Sequence, residues 1–262
     1  MNTHTHTHKQ VCKWVKENKL ALNISKTTSI IFGPKFKLNN DASLNLSIEG
    51  LPLKQVNQTK LLGITLDSQL SWSVQIDSIV AKMGKGIAMA RKCVAYTSPP
   101  ILNQVVQSLI LSHLDYCPVI WSSASKKELN KLQLVQNRAA RLVLQCSNRT
   151  NVSLMHKRLS WLPVEHRLFV SLLYFFRKVL SSRHPTFLAD QLEYIENSHT
   201  HFTRKALSGD LVLPRPRTNY LKSTVHYRAI FSWNKLPVST RLANNKSSFK
   251  NILKSELMKK IM

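Results

Sequence analysis

The chain has 262 residues, enough for one large domain or two small ones, and its 43% apolar content supports a packed core and excludes a wholly disordered protein. The 38 Lys and Arg against 13 Asp and Glu leave a formal charge of +25. That excess favours a polyanionic partner, because each phosphate neutralised by a protein cation releases condensed counterions. Cys12, Cys93, Cys117 and Cys146 form no C-x-x-C pair, which excludes a zinc ribbon and predicts reduced, mostly buried thiols.

In chain order, residues 3–8 alternate Thr and His. Read as a strand, they put His4, His6 and His8 on one face as a weak metal site. Read as composition, they are low-complexity sequence of the kind a dinucleotide repeat encodes, which is the preferred reading. Residues 11–20 predict a short helix. Residues 22–32 have strand chemistry (Ile24, Thr27, Thr28, Ile30, Ile31) ended by Gly33-Pro34. Residues 43–49 alternate Leu44, Leu46 and Ile48 with polar positions, a strand with one buried face, and Gly50-Leu51-Pro52 turns the chain. Residues 60–67 are a further strand candidate.

From Ser73 the apolar period lengthens. Ile76, Ile79, Val80, Met83, Ile87 and Ala90 recur at helical spacing, with Lys82, Lys85 and Lys92 on a neighbouring stripe. The pair Gly84 and Gly86 within this helix predicts close packing. Ser98-Pro99-Pro100 starts a second helix over 101–114. Ser125 with Glu128 forms a capping box for a third, whose core stripe is Leu129, Leu132, Val135, Ala139, Leu142 and Val143, flanked by Lys131, Arg138 and Arg141. Pro163 opens a fourth, through Leu180. A last amphipathic helix covers 247–260, with Phe249, Ile252, Leu253 and Leu257 inward. The fold class is therefore α+β, predominantly α: a small β-containing piece, a helical bundle and a basic C-terminal stretch.

The basic excess thickens towards the end, where residues 197–262 hold 13 Lys and Arg against two acids. There Arg204, Arg215, Arg217, Tyr220, Lys222, Tyr227, Arg228 and Trp233 interleave cations with aromatics, a mix suited to backbone contacts with base stacking. No apolar run approaches a membrane span and no apolar signal core opens the chain, so an intracellular protein without membrane association is expected, nuclear or cytoplasmic.

Catalytic patterns are sparse. A polymerase centre needs paired carboxylates for two metal ions, whereas Asp67 and Asp77 stand ten residues apart and both read as surface. The phosphate-cradling glycine motifs and the G-x-S-x-G elbow do not occur. His113-Leu114-Asp115 matches half of an iron triad whose third ligand would be His156 or His166; such triads sit on β-barrel strands, whereas this one ends a helix, and no metal ligand is assigned.

Six stretches, in order, resemble the reverse transcriptases of non-LTR retrotransposons (LINE elements of the Jockey type and allied clades). They are KLALNISKTTSIIF after Trp14, KLLGITLDSQLSW from Lys60, LSHLDYCPVIW from Leu111, LQLVQNRAARLVL from Leu132, LSWLPVEHR from Leu159 and FSWNKLP from Phe231. The resemblance implies a low-complexity start (1–13), a palm remnant (14–72), a helical thumb-like bundle (73–182) and a basic C-terminal extension (183–262) of an RNA-directed DNA polymerase. It further implies that the metal-binding aspartates precede Trp14 in that family, so this chain reads as a truncated, non-catalytic piece. Mg²⁺ belongs to the intact enzyme, with no cofactor expected here. Lys26 matches the lysine that protonates departing pyrophosphate, a role vacant without the carboxylates. RNA or DNA is the expected partner, met by Lys82, Lys85, Lys92, Lys131, Arg138 and Arg141.

Two alternatives stay open. One makes the chain the C-terminal part of an active polymerase whose upstream coding sequence is missing. Residues 81–116 also bear a loose likeness to the N-terminal helical segment of AlkB-type tRNA-modifying dioxygenase and methyltransferase proteins, though neither catalytic domain can be located.

Overall fold

The computed structural model describes residues 3–38, 46–48, 50–198, 208–243 and 245–260. The chain forms two compact units, Met1–Gln75 and Ile76–Met262. Among the described residues it is predominantly helical, and the short strands lie in the first unit.

The first unit opens with α1, Thr3–Glu17, so the Thr/His alternation is helical and does not form a strand face. Helix α1 ends at Asn18, whose side chain donates to the Trp14 carbonyl at 2.8 Å, and Lys19 takes a positive φ of 54°. The expected strand over 22–32 shrinks to β1, Thr28–Ser29. The physical reason is Asn23: its Oδ1 accepts from Lys26 N at 3.1 Å and caps a 3₁₀ turn, Ile24–Lys26, offering the backbone an alternative to sheet pairing. After a one-turn helix α2, Lys35–Leu38, most of the alternating segment 43–49 falls outside the described residues. Its end, β2 (Ser47–Ile48), pairs antiparallel with β3 (Leu51–Pro52), and Ile48 is buried. Gly50 at φ 81° makes that reversal, as its place in the sequence predicts.

Strand β4, Lys54–Gln55, runs parallel to β1. The expected single strand over 60–67 is instead one arm and part of the other of a hairpin, β5 (Gln58–Leu61) against β6 (Ile64–Asp67). Leu62 (φ 47°) and Gly63 (φ 85°) form the two-residue reversal between them, and positive φ at both positions matches the right-handed twist of the arms. Asp67, expected at the surface, is buried. Its carboxylate accepts from the backbone N–H groups of Gln69 (3.1 Å), Ser71 (2.9 Å) and Trp72 (3.0 Å), and from the Ser71 hydroxyl (3.2 Å). Charge-assisted bonds of this kind are roughly twice as strong as neutral ones, so Asp67 fixes the turn that delivers the chain into the next helix.

That helix, α3, spans Ser73–Cys93. The predicted stripe is its buried face: Ile76, Ile79, Met83, Ile87 and Ala90 are all under a tenth exposed, and Val80 is half-buried. The second predicted helix is interrupted. Helix α4, Pro99–Val106, passes through a π turn, Gln107–Leu111, before α5, Ser112–Asp115. Gly86 faces that turn: a Cβ there would come within 2.8 Å of Ile110 Cγ1 and 3.4 Å of the Leu109 carbonyl oxygen. The glycine thus permits the close packing its sequence context predicts. Cys117, at φ 46° and exposed rather than buried, enters α6, Pro118–Trp121.

Ser125 caps α7, Lys126–Leu144, accepting from Glu128 N at 3.3 Å. Glu128 directs a carboxylate oxygen to Lys131 Nζ at 2.8 Å. Asn151 caps α8, Val152–Leu159, and Pro163 leads into α9, Val164–Ser182. Helix α9 is the spine of a core in which Leu172, Leu173 and Phe176 meet Trp233 of the Val225–Asn234 helix and Phe249 of the Lys246–Lys260 helix. Phe176 lies edge-on to Trp233 at 5.7 Å, and Trp233 lies 5.8 Å from Phe249. Each such buried side chain contributes about 1.5–3 kcal/mol, so the C-terminal helices are held by this core. Trp233, a candidate for base stacking in the sequence, is therefore a core residue.

Candidate nucleic-acid interface

Several cations of the second unit serve the fold. The Arg177 guanidinium lies 4.7 Å above the Phe249 ring, donates to the Arg241 carbonyl at 2.7 Å and also donates to the Ala243 carbonyl. Arg241 pairs with buried Asp210 at 2.8 Å. Arg228 donates to Ser122 Oγ at 3.1 Å, and burial lowers its pKa. Of the remaining aromatic–basic mix, Arg204 lies outside the described residues, Arg215, Arg217, Tyr220 and Lys222 are exposed, and Tyr227 stacks on Phe231 at 6.0 Å.

The motif helix α7 has an inward polar face that its sequence conceals. Gln136 is fully buried and donates to the Leu162 carbonyl at 2.9 Å. Gln133 accepts from Val164 N at 2.8 Å and donates to Asn137 Oδ1 at 2.8 Å. Asn137 Oδ1 lies 3.1 Å from Nε2 of the buried His156. These bonds fasten α7 to the junction between α8 and α9, where LSWLPVEHR begins. The other motifs make similar clamps. Arg167 forks onto Asp115, with Nε to Oδ1 at 2.7 Å, tying that stretch to LSHLDYCPVIW. Asn234 of FSWNKLP exchanges two bonds with the Leu211 backbone, at 2.8 and 3.0 Å.

The outward face of α7 looks onto α3 across a groove of about 560 Å³. Arg91, Arg138 and Arg141 line it, with no carboxylate among the lining residues. Gly84 lowers the α3 wall, since a Cβ at that position would meet no atom within 4 Å. Arg141 is half-buried; one guanidinium nitrogen donates to the Asn148 carbonyl at 3.3 Å, while Nε is buried without a partner. A buried donor lacking an acceptor costs about 1–3 kcal/mol, and an anion in the groove would relieve that cost.

Of the six sequence-nominated cations, Arg138 and Arg141 come together here. Lys82, Lys85 and Lys92 are exposed on α3 and do not line the groove: at 100° per residue Lys82 lies opposite the face shared by Val80, Gly84 and Arg91, and Lys85 and Lys92 lie to its side. Lys82 lies near His113, whose pKa is lowered first by burial and then by this neighbouring charge. Lys131 is 2.8 Å from both Asp77 and Glu128, and its bond to Asp77 is the leading cause of its raised pKa. Arg91 is not among the six: its helical offset from Gly84 is legible in the sequence, but the juxtaposition of α3 with α7 is tertiary. Lys26 is exposed at the end of its 3₁₀ turn.

The donor chemistry does not fit a two-metal centre. The Asp67 carboxylate is taken up by backbone N–H groups and Asp77 by Lys131, so no polymerase step is derived from them. Asp115 and His156 are likewise engaged, and among the described residues no three His, Cys, Asp or Glu side chains assemble as metal ligands. No described helix is long and apolar enough to cross a membrane.

The chain is similar to two transposon proteins of Drosophila melanogaster. It is 27% identical over 158 residues to the probable RNA-directed DNA polymerase from transposon BS, covering 59% of this chain and 17% of that relative. It is 23% identical over 150 residues to the probable RNA-directed DNA polymerase from transposon X-element, covering 56% of this chain and 16% of that relative. The match thus spans about one sixth of each relative's length. No family model matches the chain, and no solved structure matches it. These similarities support a relation to retrotransposon reverse transcriptases.

Proposed function

We propose that this chain is the post-catalytic part of a non-LTR retrotransposon reverse transcriptase, and that its function is to bind RNA or DNA through the groove between α3 and α7. On this reading, residues 14–72 are a palm remnant, 73–182 the thumb and 183–262 the C-terminal extension. Among the described residues Asp67 and Asp77 are each engaged within the protein, so the role assigned to this chain is binding. The observation that carries the binding reading is the convergence of Arg91, Arg138 and Arg141 on a groove without a carboxylate. Guanidinium groups suit phosphate because their planar donors meet two oxygens at once. The similarity to RNA-directed DNA polymerases supplies the class of polyanion.

The test is fluorescence anisotropy with single-stranded RNA and DNA between 50 and 200 mM salt. The logarithm of affinity should fall linearly with the logarithm of salt, by about 0.7 per phosphate contacted on a single strand. Arg138→Gln should weaken binding across sequences and reduce that slope by about one contact. A flat salt response, or an unchanged slope in Arg138→Gln, overturns the reading.

A further inference from the structure

Arg228 carries fewer bonds than the other arginines drawn into the C-terminal core. Arg167 forks onto Asp115, Arg177 donates to two carbonyls, and Arg241 pairs with Asp210. Arg228, on the Val225–Asn234 helix, is half-buried and makes one described hydrogen bond, from Nη1 to Ser122 Oγ at 3.1 Å. Ser122 donates its own hydrogen to the Val119 carbonyl at 3.0 Å, so its oxygen is an acceptor that pins the guanidinium in place. No described carboxylate stands within ion-pair distance of Arg228. Its other nitrogens are not sealed from solvent as Nε of Arg141 and of Arg241 are, and they open onto a concavity.

That concavity measures about 360 Å³ and shares no lining residue with the arginine groove. Pockets for small ligands commonly measure about 300–1,000 Å³, so its size suits a compact one. Besides Arg228 its charged residues are Lys222 and Glu165, both exposed, and Glu165 pairs with neither cation among the described residues. Two cations less one carboxylate leave a single positive charge, which suits a monoanion and disfavours a doubly charged phosphate.

The walls are apolar. Leu129 of α7 and Phe169 of α9 are half-buried, and Phe231 stays 41% exposed even with Lys235 Nζ 4.0 Å from its ring centroid. With Tyr227 stacked on that ring at 6.0 Å, the wall suits an aliphatic body better than a nucleic-acid base.

We propose that this concavity binds an apolar monocarboxylate, its carboxylate on Arg228 and its aliphatic body against Leu129, Phe169 and Phe231. Because Nη1 is held by Ser122, Nε and Nη2 are left to meet the two oxygens side by side, the same edge that Arg167 presents to Asp115. Partial burial strengthens that pairing, since less water competes for the charge. The proposal goes beyond the nucleic-acid reading and does not depend on it. Such a carboxylate can be the C-terminus of a peptide with an apolar last residue or a free aliphatic acid, and the two sources are distinguishable.

The test is an NMR titration of the isotope-labelled full chain, following the backbone amides of Ser122 and Phe231. The probes are N-acetylleucine, its uncharged amide, octanoate, and an acetylated tetrapeptide ending in leucine. N-acetylleucine should give saturable shifts at both amides, and N-acetylleucinamide should bind about ten-fold more weakly or worse, through loss of the charge-assisted pair. Arg228→Lys keeps the charge but loses the planar fork, and should weaken N-acetylleucine by about ten-fold. Lys250→Gln, outside the concavity, should leave it unchanged. Should the Arg228 variant fail to fold, the acid against its amide still decides the matter on the unsubstituted protein. A tetrapeptide tighter than octanoate identifies a chain end, and the reverse order identifies the free acid. Absence of saturable shifts with all three acids, equal binding of acid and amide, or acetate or inorganic phosphate binding as well as N-acetylleucine would each overturn the assignment.

Discussion

The two faces of α7 carry side chains of similar polarity and put them to opposite uses. Inward, Gln133, Gln136 and Asn137 spend their hydrogen bonds on the α8–α9 junction and on His156. Outward, Arg138 and Arg141 face a groove that contains no counter-charge. A polar residue that finds its partner within the protein stabilises the fold. One held at a groove with its donor unsatisfied detracts from stability and is available to a ligand. The contrast separates the family-like letters of LQLVQNRAARLVL into clamp and contact.

The largest expected effect lies on the inward face. Gln136→Leu keeps roughly the volume but strips the Leu162 carbonyl of its donor, in a place water does not reach. The expected loss is about 1–3 kcal/mol, read as a lower urea midpoint at unchanged slope. Nucleic-acid affinity of the folded protein should stay as it was. An unchanged midpoint would remove the clamp from the account.

The same face predicts acid sensitivity. Burial lowers the His156 pKa below the ordinary 6.5, outweighing an opposing contact with the Trp161 backbone. Burial likewise leads the lowering at His113, His166 and His226. For a histidine with a lowered folded pKa, the unfolded chain binds more protons once pH drops below about 6.5. Stability is therefore full above that value, falls as pH descends through it, and levels off below the folded pKa. Urea midpoints at pH 7.5 and 5.5 should show the fall, and His156→Gln should show a smaller one.

On the outward face, stability and binding should part company. Arg141→Met removes a half-buried guanidinium whose Nε has no partner, while a similar length of apolar stem remains to cover the groove wall. The urea midpoint should hold or rise slightly, whereas affinity for single-stranded RNA should drop and the salt slope lose about one contact. A parallel loss of stability and affinity would move Arg141 to the clamp side of the helix.

The sequence makes one of these faces easier to read than the other. The apolar period of α3, α7 and α9 is visible because burial repeats every three or four residues, and the helices stand where that period places them. Cations beside such a stripe are visible too, and Arg138 and Arg141 are legible for that reason. The clamp was hidden because Gln and Asn ordinarily mark solvent, and their partners Leu162, Val164 and His156 lie 19 to 31 residues away. Arg91 was hidden for the related reason that a groove belongs to two helices at once. The β5–β6 hairpin was hidden by Leu62: a leucine at positive φ carries none of the turn chemistry that glycine or asparagine would have shown.

The smallest effect sharpens the contrast most. Lys131 stands in the same basic stripe of the sequence as Arg138, yet it is held by Asp77 on α3 and by Glu128 one turn back on α7. Its charge is spent within the protein, and a phosphate approaching it would have to compete with two carboxylates. Lys131→Gln should therefore leave the salt slope where it is, while Arg138→Gln shifts it by about one contact. The Asp77 pair is exposed and contributes little to folding, whereas the Glu128 side chain is largely buried and loses its partner, so the urea midpoint should fall modestly while the salt slope holds. If the Lys131 substitution lowered the slope as much as the Arg138 substitution, charge alone would set the binding face. Equal slopes for Lys131→Gln and the unsubstituted protein would mean that a lysine's neighbours decide whether it is available to nucleic acid.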